Sequence, residues 1–274
     1  MITIRDLNHL LVQVHQEKIT EPDKLRDPFI WGDVFLKELN RNPNQMILHI
    51  WPMENAVILG MLDRELPCFA SAKQTIEAKG FYPVVRNIGG LAVVADEGIL
   101  NASLIIPDNM TEKISISNAY LLMVELIRTS FSDFYQKIDH YKIEGSYCPG
   151  NYDLSISGRK FAGLAQRRIK NAILVSIYLS VNGNQSKRGQ LIADFYDEGK
   201  NNQQSKVDYP EVIPESMANL SELLDYPFSL SEVTERLQLA LRQLGFELRS
   251  LNCHSELMSD FKELKDKAFL EKNA

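Results

Sequence analysis

The stretch Asp153–Gly163, DLSISGRKFAG, alternates by two on either side of Ser157-Gly158. Side chains of a strand point to opposite faces in turn, so this pattern predicts a β-hairpin with a tight turn at the Ser-Gly pair. Another strand-like run, Ala172–Ser180, follows it. Strands joined by hairpins pair antiparallel, which commits the chain to a mostly antiparallel sheet. The remaining periodicity supplies helices to cover that sheet. Pro67–Lys79 places Phe69, Ala72, Ile76 and Ala78 near helical spacing and stops at Gly80. Ser117–Phe131 reads as a buried apolar helix, and Ser229 with Glu232 forms a capping box ahead of VTERLQLALRQL, stopped by Gly245. The fold class expected is α+β, a mixed, mostly antiparallel sheet flanked by helices.

Upstream of the hairpin, MILHIW and AVILGML read as short strands able to pair as neighbours, and YPVVR as a further strand. LAVVA and LNASLII read as two more, joined by an acidic turn, Asp96-Glu97-Gly98, with the glycine where positive φ is needed. The first forty residues, interrupted at Glu21-Pro22-Asp23 and Asp27-Pro28, read as a peripheral helical arm. With 274 residues, 45% of them hydrophobic, the chain can close one sizeable core. It shows no internal repeat and no clean linker. Residues 1–274 are therefore expected to form a single domain, its core at about 45–250, with the N-terminal arm and a C-terminal helix outside it.

Several function classes are excluded by what is missing. A formal net charge of −6 argues against a protein that binds by neutralising phosphates, so no nucleic-acid partner is expected. Cys68, Cys148 and Cys253 lie far apart with no CxxC pair, which supports neither a disulfide framework nor a zinc ribbon and fits a reducing cytoplasm. No apolar run reaches the roughly 18 residues of a membrane span. The histidines, His9, His15, His49, His140 and His254, form no HExxH and no i, i+4 pair, so no metal is expected. Neither GxxxxGK[ST] nor GxGxxG occurs to cradle a nucleotide.

Chemistry concentrates around the hairpin. Cys148 sits in a Gly/Pro-rich loop, GSYCPGNYD, where a thiol fixed on a rigid sheet can meet a substrate; a structural cysteine is the alternative. Lys160 begins the second hairpin strand, and its ammonium can fold back toward that loop, or simply lie solvated on the surface. His140 is a weaker partner, at the start of the strand entering the loop. Arg159, Arg167, Arg168 and Lys170 form either a solvated basic edge or a docking patch for an acidic partner. Gly89-Gly90, in VRNIGGLAV, marks a tight turn or a place of close approach by a ligand.

Taken together, VRNIGGLAVVADEGILNASL (Val85–Leu104), GSYCPGNYDLSISGRKFAG and the lysine motif Gly158–Gly163 resemble the lipoate-protein ligase and octanoyltransferase family. The likeness spans about residues 45–250 and is nearest to the branch that draws octanoyl from the glycine cleavage H protein. It implies a biotin/lipoate ligase catalytic fold and an acyltransferase without a cofactor. Octanoyl, or lipoyl, would move from octanoylated H protein to the lipoyl domains of 2-oxoacid dehydrogenase E2 subunits through a thioester on Cys148, with Lys160 as its electrostatic partner. Arg86, Gly89, Gly90 and Leu91 would line the acyl tunnel, and Gly158 and Gly163 would shape the substrate site. ATP-using ligases of the family carry a third glycine where this chain has Leu91 and a histidine where it has Ala95, which weakens an adenylating reading. The family's other alternative donor is an octanoylated acyl carrier protein.

Overall fold

The computed structural model describes residues 2–109 and 113–273. Its elements run β1 (Leu11–Gln16), α1 (Asp27–Arg41), β2 (Gln45–Ile50), β3 (Ala56–Leu59), α2 (Phe69–Ala78), β4 (Tyr82–Val85), β5 (Val93–Ala95), β6 (Ile99–Pro107) and α3 (Ile116–Ser130). They continue with β7 (Asp139–His140), β8 (Leu154–Ile156), β9 (Arg159–Ile169), β10 (Ala172–Ser180), α4 (Gln185–Lys200), α5 (Leu220–Leu224), α6 (Leu230–Gln243), β11 (Leu248–Ser250) and α7 (Ser255–Asn273).

Eight strands form the main sheet in the order β11-β1-β2-β6-β10-β9-β8-β7, and β4-β3-β5 form a small second sheet. The three-strand edge β11-β1-β2 is parallel, whereas every pairing from β2 through β6, β10, β9 and β8 to β7 is antiparallel. This is the mixed, mostly antiparallel sheet that the hairpin pattern implies. Alternation then sorts the core by face. Leu48, Leu104 and Val175 pack with Leu122 and Leu126 of α3 and Leu237 and Leu241 of α6. Ile47, Ile105 and Leu174 pack on the other side with Phe35 and Leu39 of α1 and Leu257 of α7. The small sheet has its own apolar cluster, in which Val57 and Val94 meet Ile76 of α2 and Phe195 of α4.

The hairpin forms as its sequence dictates: Ile156 pairs with Arg159, and Ser157 and Gly158 both take positive φ, at 51° and 78°. Both central residues at positive φ make the turn whose twist matches paired strands. Three other expectations are corrected. The first forty residues are no peripheral helical arm, because β1 lies inside the main sheet between β11 and β2, and α1 buries nine of its residues. β2 and β3 are not neighbours but belong to different sheets, since the chain crosses between them at Pro52–Asn55. β5 and β6 likewise part into different sheets, and Gly98 is not at positive φ; it is small because a Cβ there would lie 2.2 Å from the Asn182 carbonyl. Among the described residues no helix is long and apolar enough to cross a membrane.

Candidate active site

Cys148 occupies the loop between β7 and β8, half-buried and at φ 46°. Such a conformation strains a non-glycine residue and persists only where the surroundings impose it. Here they do so from both sides. The preceding Tyr147 is fully buried, its hydroxyl bonded to those of Tyr178 and, at 2.9 Å, to Gln185 Nε2. Burial pushes the Tyr147 hydroxyl far above its ordinary range, so it remains a neutral hydrogen-bonding anchor. From the other side the ammonium of Lys160 donates to the carbonyls of Cys148 (2.8 Å) and Tyr147 (3.0 Å).

A β-bulge places Lys160 there. Ser155 pairs with Lys160 and Leu154 with Ala162, leaving Phe161 as the extra residue of β9. The strict alternation breaks at that point, and Lys160, Phe161 and Ala162 are all buried. Lys160, 2% exposed, pairs with the equally buried Asp153 at 3.0 Å. The other Asp153 oxygen accepts from the Gly150 N–H at 3.0 Å. Burial pushes the Asp153 carboxyl up, against the pull of Lys160. Gly163 leaves room for this pair, since a Cβ there would sit 3.3 Å from Lys160 Cε and 3.6 Å from Asp153 Oδ1.

The donors to the sulfur come from the segment that joins β4 to β5 of the small sheet. Leu91 N–H donates to Cys148 Sγ at 3.1 Å, and Arg86 Nη2 at 3.6 Å. Arg86, 8% exposed, also donates to the Leu91 carbonyl at 2.7 Å, closing the glycine segment onto its own guanidinium. Gly90 makes this closure possible: it stands at φ 103°, and a Cβ there would lie 2.4 Å from Arg86 Nη2 and 2.9 Å from Sγ. Behind the segment, a Cβ on Gly60 would fall 1.9 Å from the Gly90 carbonyl.

In front of the sulfur opens a narrow cleft between the two sheets, lined by Cys148, Arg86 and Lys160 and by apolar groups such as Phe29, Trp51, Ile58, Val93 and Ile177. A second narrow space shares Phe29, Trp51 and Ile88 with it and continues toward Asp33, Leu174 and Arg167. A cysteine in a strained loop, with N–H donors aimed at its sulfur and an apolar cleft beside it, suits nucleophilic capture of an apolar acyl group.

Residues 25–242 match the lipoyl protein ligase A/B catalytic domain. The chain belongs to that family. An octanoyl-[GcvH]:protein N-octanoyltransferase of Lysinibacillus sphaericus is 42% identical over 236 residues, 85% of this chain and 84% of that protein. A lipoyl-[GcvH]:protein N-lipoyltransferase of Listeria monocytogenes is 41% identical over 211 residues, 77% and 76% of the two chains. Among solved structures, a bipartite lipoate protein ligase from Thermoplasma acidophilum superposes with a TM-score of 0.68 at 20% identity, covering 94% of this chain and 93% of that one. At that identity the likeness shows the lipoate-ligase fold.

Within this lipoyl-ligase fold the sequence candidates separate. Cys148, Lys160, Arg86, Gly90, Leu91 and Gly163 meet at one site; Gly89 is exposed beside it, with no atom within 4 Å of a Cβ. Gly158 is at the exposed hairpin tip, where its φ rather than a ligand explains it. Lys160 holds the backbone of Cys148 and makes no hydrogen bond to Sγ; the cation at the sulfur is Arg86. Three of the four basic residues are engaged within the chain, Arg159 with Glu222, Arg167 with Asp33 and the Asn87 carbonyl, both at 2.8 Å, and Arg168 with the Ile114 and Ser115 carbonyls, while Lys170 is exposed at the turn between β9 and β10. His140 bonds Arg128, and Cys68 and Cys253 lie elsewhere, beside Gln203 and His15.

Sequence reasoning missed Asp153, although it closes the same GSYCPGNYD motif, and it missed a group formed by the half-buried His15 and Glu17 and the buried His49. Ligand-type atoms of those three lie within 4.8 Å of one another, and His49 Nε2 and Glu17 Oε1 already bond each other at 2.5 Å. His15 and His49 stand side by side in the β1–β2 pairing and pack on Phe35 of α1. Burial pushes the imidazoles down, His15 to about 4 and His49 to about 3, and pushes the Glu17 carboxyl up to about 7.

Proposed function

We propose that this protein is an N-octanoyltransferase that takes octanoyl from the octanoyl-lysine of the glycine cleavage H protein and passes it to lysines of E2 lipoyl domains in protein lipoylation. Its relatives' names supply the donor, and the observation that carries the chemistry is the pair of donors, Leu91 N–H and Arg86, on the Cys148 sulfur. The Cys148 thiolate attacks the octanoyl carbonyl carbon, the C–N bond breaks, and the donor lysine leaves as an amine after taking up a proton. The acceptor lysine then attacks the thioester, sulfur leaves, and the proton lost from the new amide nitrogen balances the first. One amide forms for each amide broken, so the exchange consumes no nucleotide.

The negative charge that develops on the carbonyl oxygen needs donors in a water-poor site. Besides the groups at the sulfur, Arg86 Nε and Asn101 Nδ2, on residues that line the cleft, are buried without a hydrogen-bond partner among the described residues. The apolar wall takes the tail: burying its methylenes at about 0.8 kcal/mol each holds the acyl group by roughly 5 kcal/mol. Lys160 and Asp153 keep the loop in the conformation that presents the sulfur.

The test offers the protein octanoylated H protein, octanoylated acyl carrier protein, or octanoate with ATP, each with an acceptor lipoyl domain followed by mass. Acceptor octanoylation should be fastest from the H protein. Equal or faster transfer from octanoate and ATP, with release of pyrophosphate, would establish an adenylating ligase instead.

A further inference from the structure

Asp63, in the 3-10 turn after β3, is a fully buried carboxylate outside the acyl cavity. It accepts two hydrogen bonds: Oδ2 from the Gly60 N–H at 2.7 Å and Oδ1 from the Tyr196 hydroxyl at 2.9 Å. The Tyr196 oxygen, 1% exposed on α4, in turn accepts the Ala92 N–H at 3.1 Å. A phenol has one proton to give, and it goes to the carboxylate, which leaves the lone pairs for Ala92. Both ends of this chain finish at the glycine segment. Ala92 follows Leu91, whose N–H meets the sulfur, and the Gly60 backbone abuts the Gly90 carbonyl.

We propose that Asp63 and Tyr196 are positioning residues for the Cys148 site: the chain from Ala92 N–H through the Tyr196 hydroxyl to Asp63 fixes the peptide that aims the Leu91 N–H at the sulfur. The proposal rests on the reading of Cys148 as the nucleophile. It explains why a fully buried carboxylate is kept bonded to the hydroxyl of Tyr196, whose ring belongs to the cluster of Val57, Leu59 and Phe195. A buried carboxylate is costly unless its oxygens are satisfied, so the network is geometrically exacting. Asparagine at position 63 would offer one acceptor oxygen to two facing donors, and phenylalanine at 196 would leave both Ala92 N–H and Asp63 Oδ1 unpaired. Either change frees the Leu91 peptide to drift. A drift of about 1 Å is enough to lower a rate a hundredfold.

Tyr196→Phe and Asp63→Asn are compared with Tyr209→Phe in the full-length protein. Tyr209 stacks on Tyr196 at 5.4 Å and donates to the Leu62 carbonyl at 2.6 Å, so its loss removes a hydrogen bond from the same neighbourhood without touching Ala92. Two rates are read: iodoacetamide alkylation of Cys148, and single-turnover octanoyl-thioester formation from octanoylated H protein, with donor KM and Tm alongside. Tyr196→Phe and Asp63→Asn should each alkylate roughly tenfold more slowly. They should form thioester roughly 10- to 100-fold more slowly at unchanged donor KM, whereas Tyr209→Phe lowers Tm alone. If Tyr196→Phe keeps wild-type rates, or falls no further than Tyr209→Phe at equal loss of Tm, the pair is only a buttress and the proposal is overturned. Absence of a thioester on the wild type would refute the acyl-transfer reading, while the alkylation comparison still decides the positioning claim.

Discussion

Replacing Gly90 by alanine adds one methyl group at the site where its neighbours leave no room for it. The conformation at φ 103° costs an L-residue about 1–2 kcal/mol. The new Cβ would stand 2.4 Å from Arg86 Nη2, so the guanidinium must retreat by roughly 1 Å to reach ordinary contact. The bond it donates to the Leu91 carbonyl, 2.7 Å long, does not survive such a shift. Losing a hydrogen bond from a charged group adds about 1.5–3 kcal/mol. Gly90→Ala should therefore lose about 2.5–5 kcal/mol of stability, and its Cys148 should alkylate and take up octanoyl far more slowly, since both donors to the sulfur are displaced. Gly89→Ala is the contrast: open space surrounds its Cβ, and its stability should stay within about 0.5 kcal/mol of wild type. Urea denaturation and single-turnover intact-mass measurements read both variants. Equal effects at the two glycines would refute the argument, because it depends on the positive φ at Gly90 and on what surrounds each Cβ.

Lys160→Met strips the 1%-exposed Asp153 of its cation and should cost about 3–5 kcal/mol in urea denaturation, partly recovered by adding Asp153→Asn; a loss below about 1 kcal/mol would mean that the pair does not hold the loop. The histidine group gives a pH signature. His15 and His49 stay neutral in the native state down to about 4 and 3, whereas unfolded imidazoles protonate near 6.5, so their contribution is lost as pH falls below that value. Glu17 works the other way: its native carboxyl titrates at about 7 against 4.5, so its contribution is present at low pH and lost as pH rises through 7. Glu17→Gln removes the one of the three that gains on acidification, and the variant should lose more stability than wild type between pH 7 and pH 5; parallel curves would contradict the assignment.

What the sequence revealed was local. The Ser157-Gly158 turn, the capping Ser229 and the Ala172–Ser180 strand are each decided by residues within a few positions, and each formed where the pattern put it. Strand partners were not legible, because MILHIW and AVILGML carry the same β-forming residues whether or not they pair, and only the crossing at Pro52–Asn55 sends them to different sheets. The site divided in the same way. Cys148 stood out from its own loop, but the contact with Arg86 joins residues 62 positions apart, and no spacing rule reports it. Lys160 was found for the right place and the wrong contact: the bulge at Phe161, invisible in an alternating pattern, turns its ammonium to the Cys148 carbonyl and Asp153 instead of the sulfur.

The central claim is that the acyl group rests on Cys148 between donor and acceptor. Mixing the protein with octanoylated H protein, without acceptor, and recording its intact mass tests this directly. The account predicts one added octanoyl unit, mapped to Cys148, removed by neutral hydroxylamine, and chased onto a lipoyl domain at the rate of overall transfer. An unmodified protein, or a Cys148→Ala variant that transfers octanoyl at the wild-type rate, would contradict it.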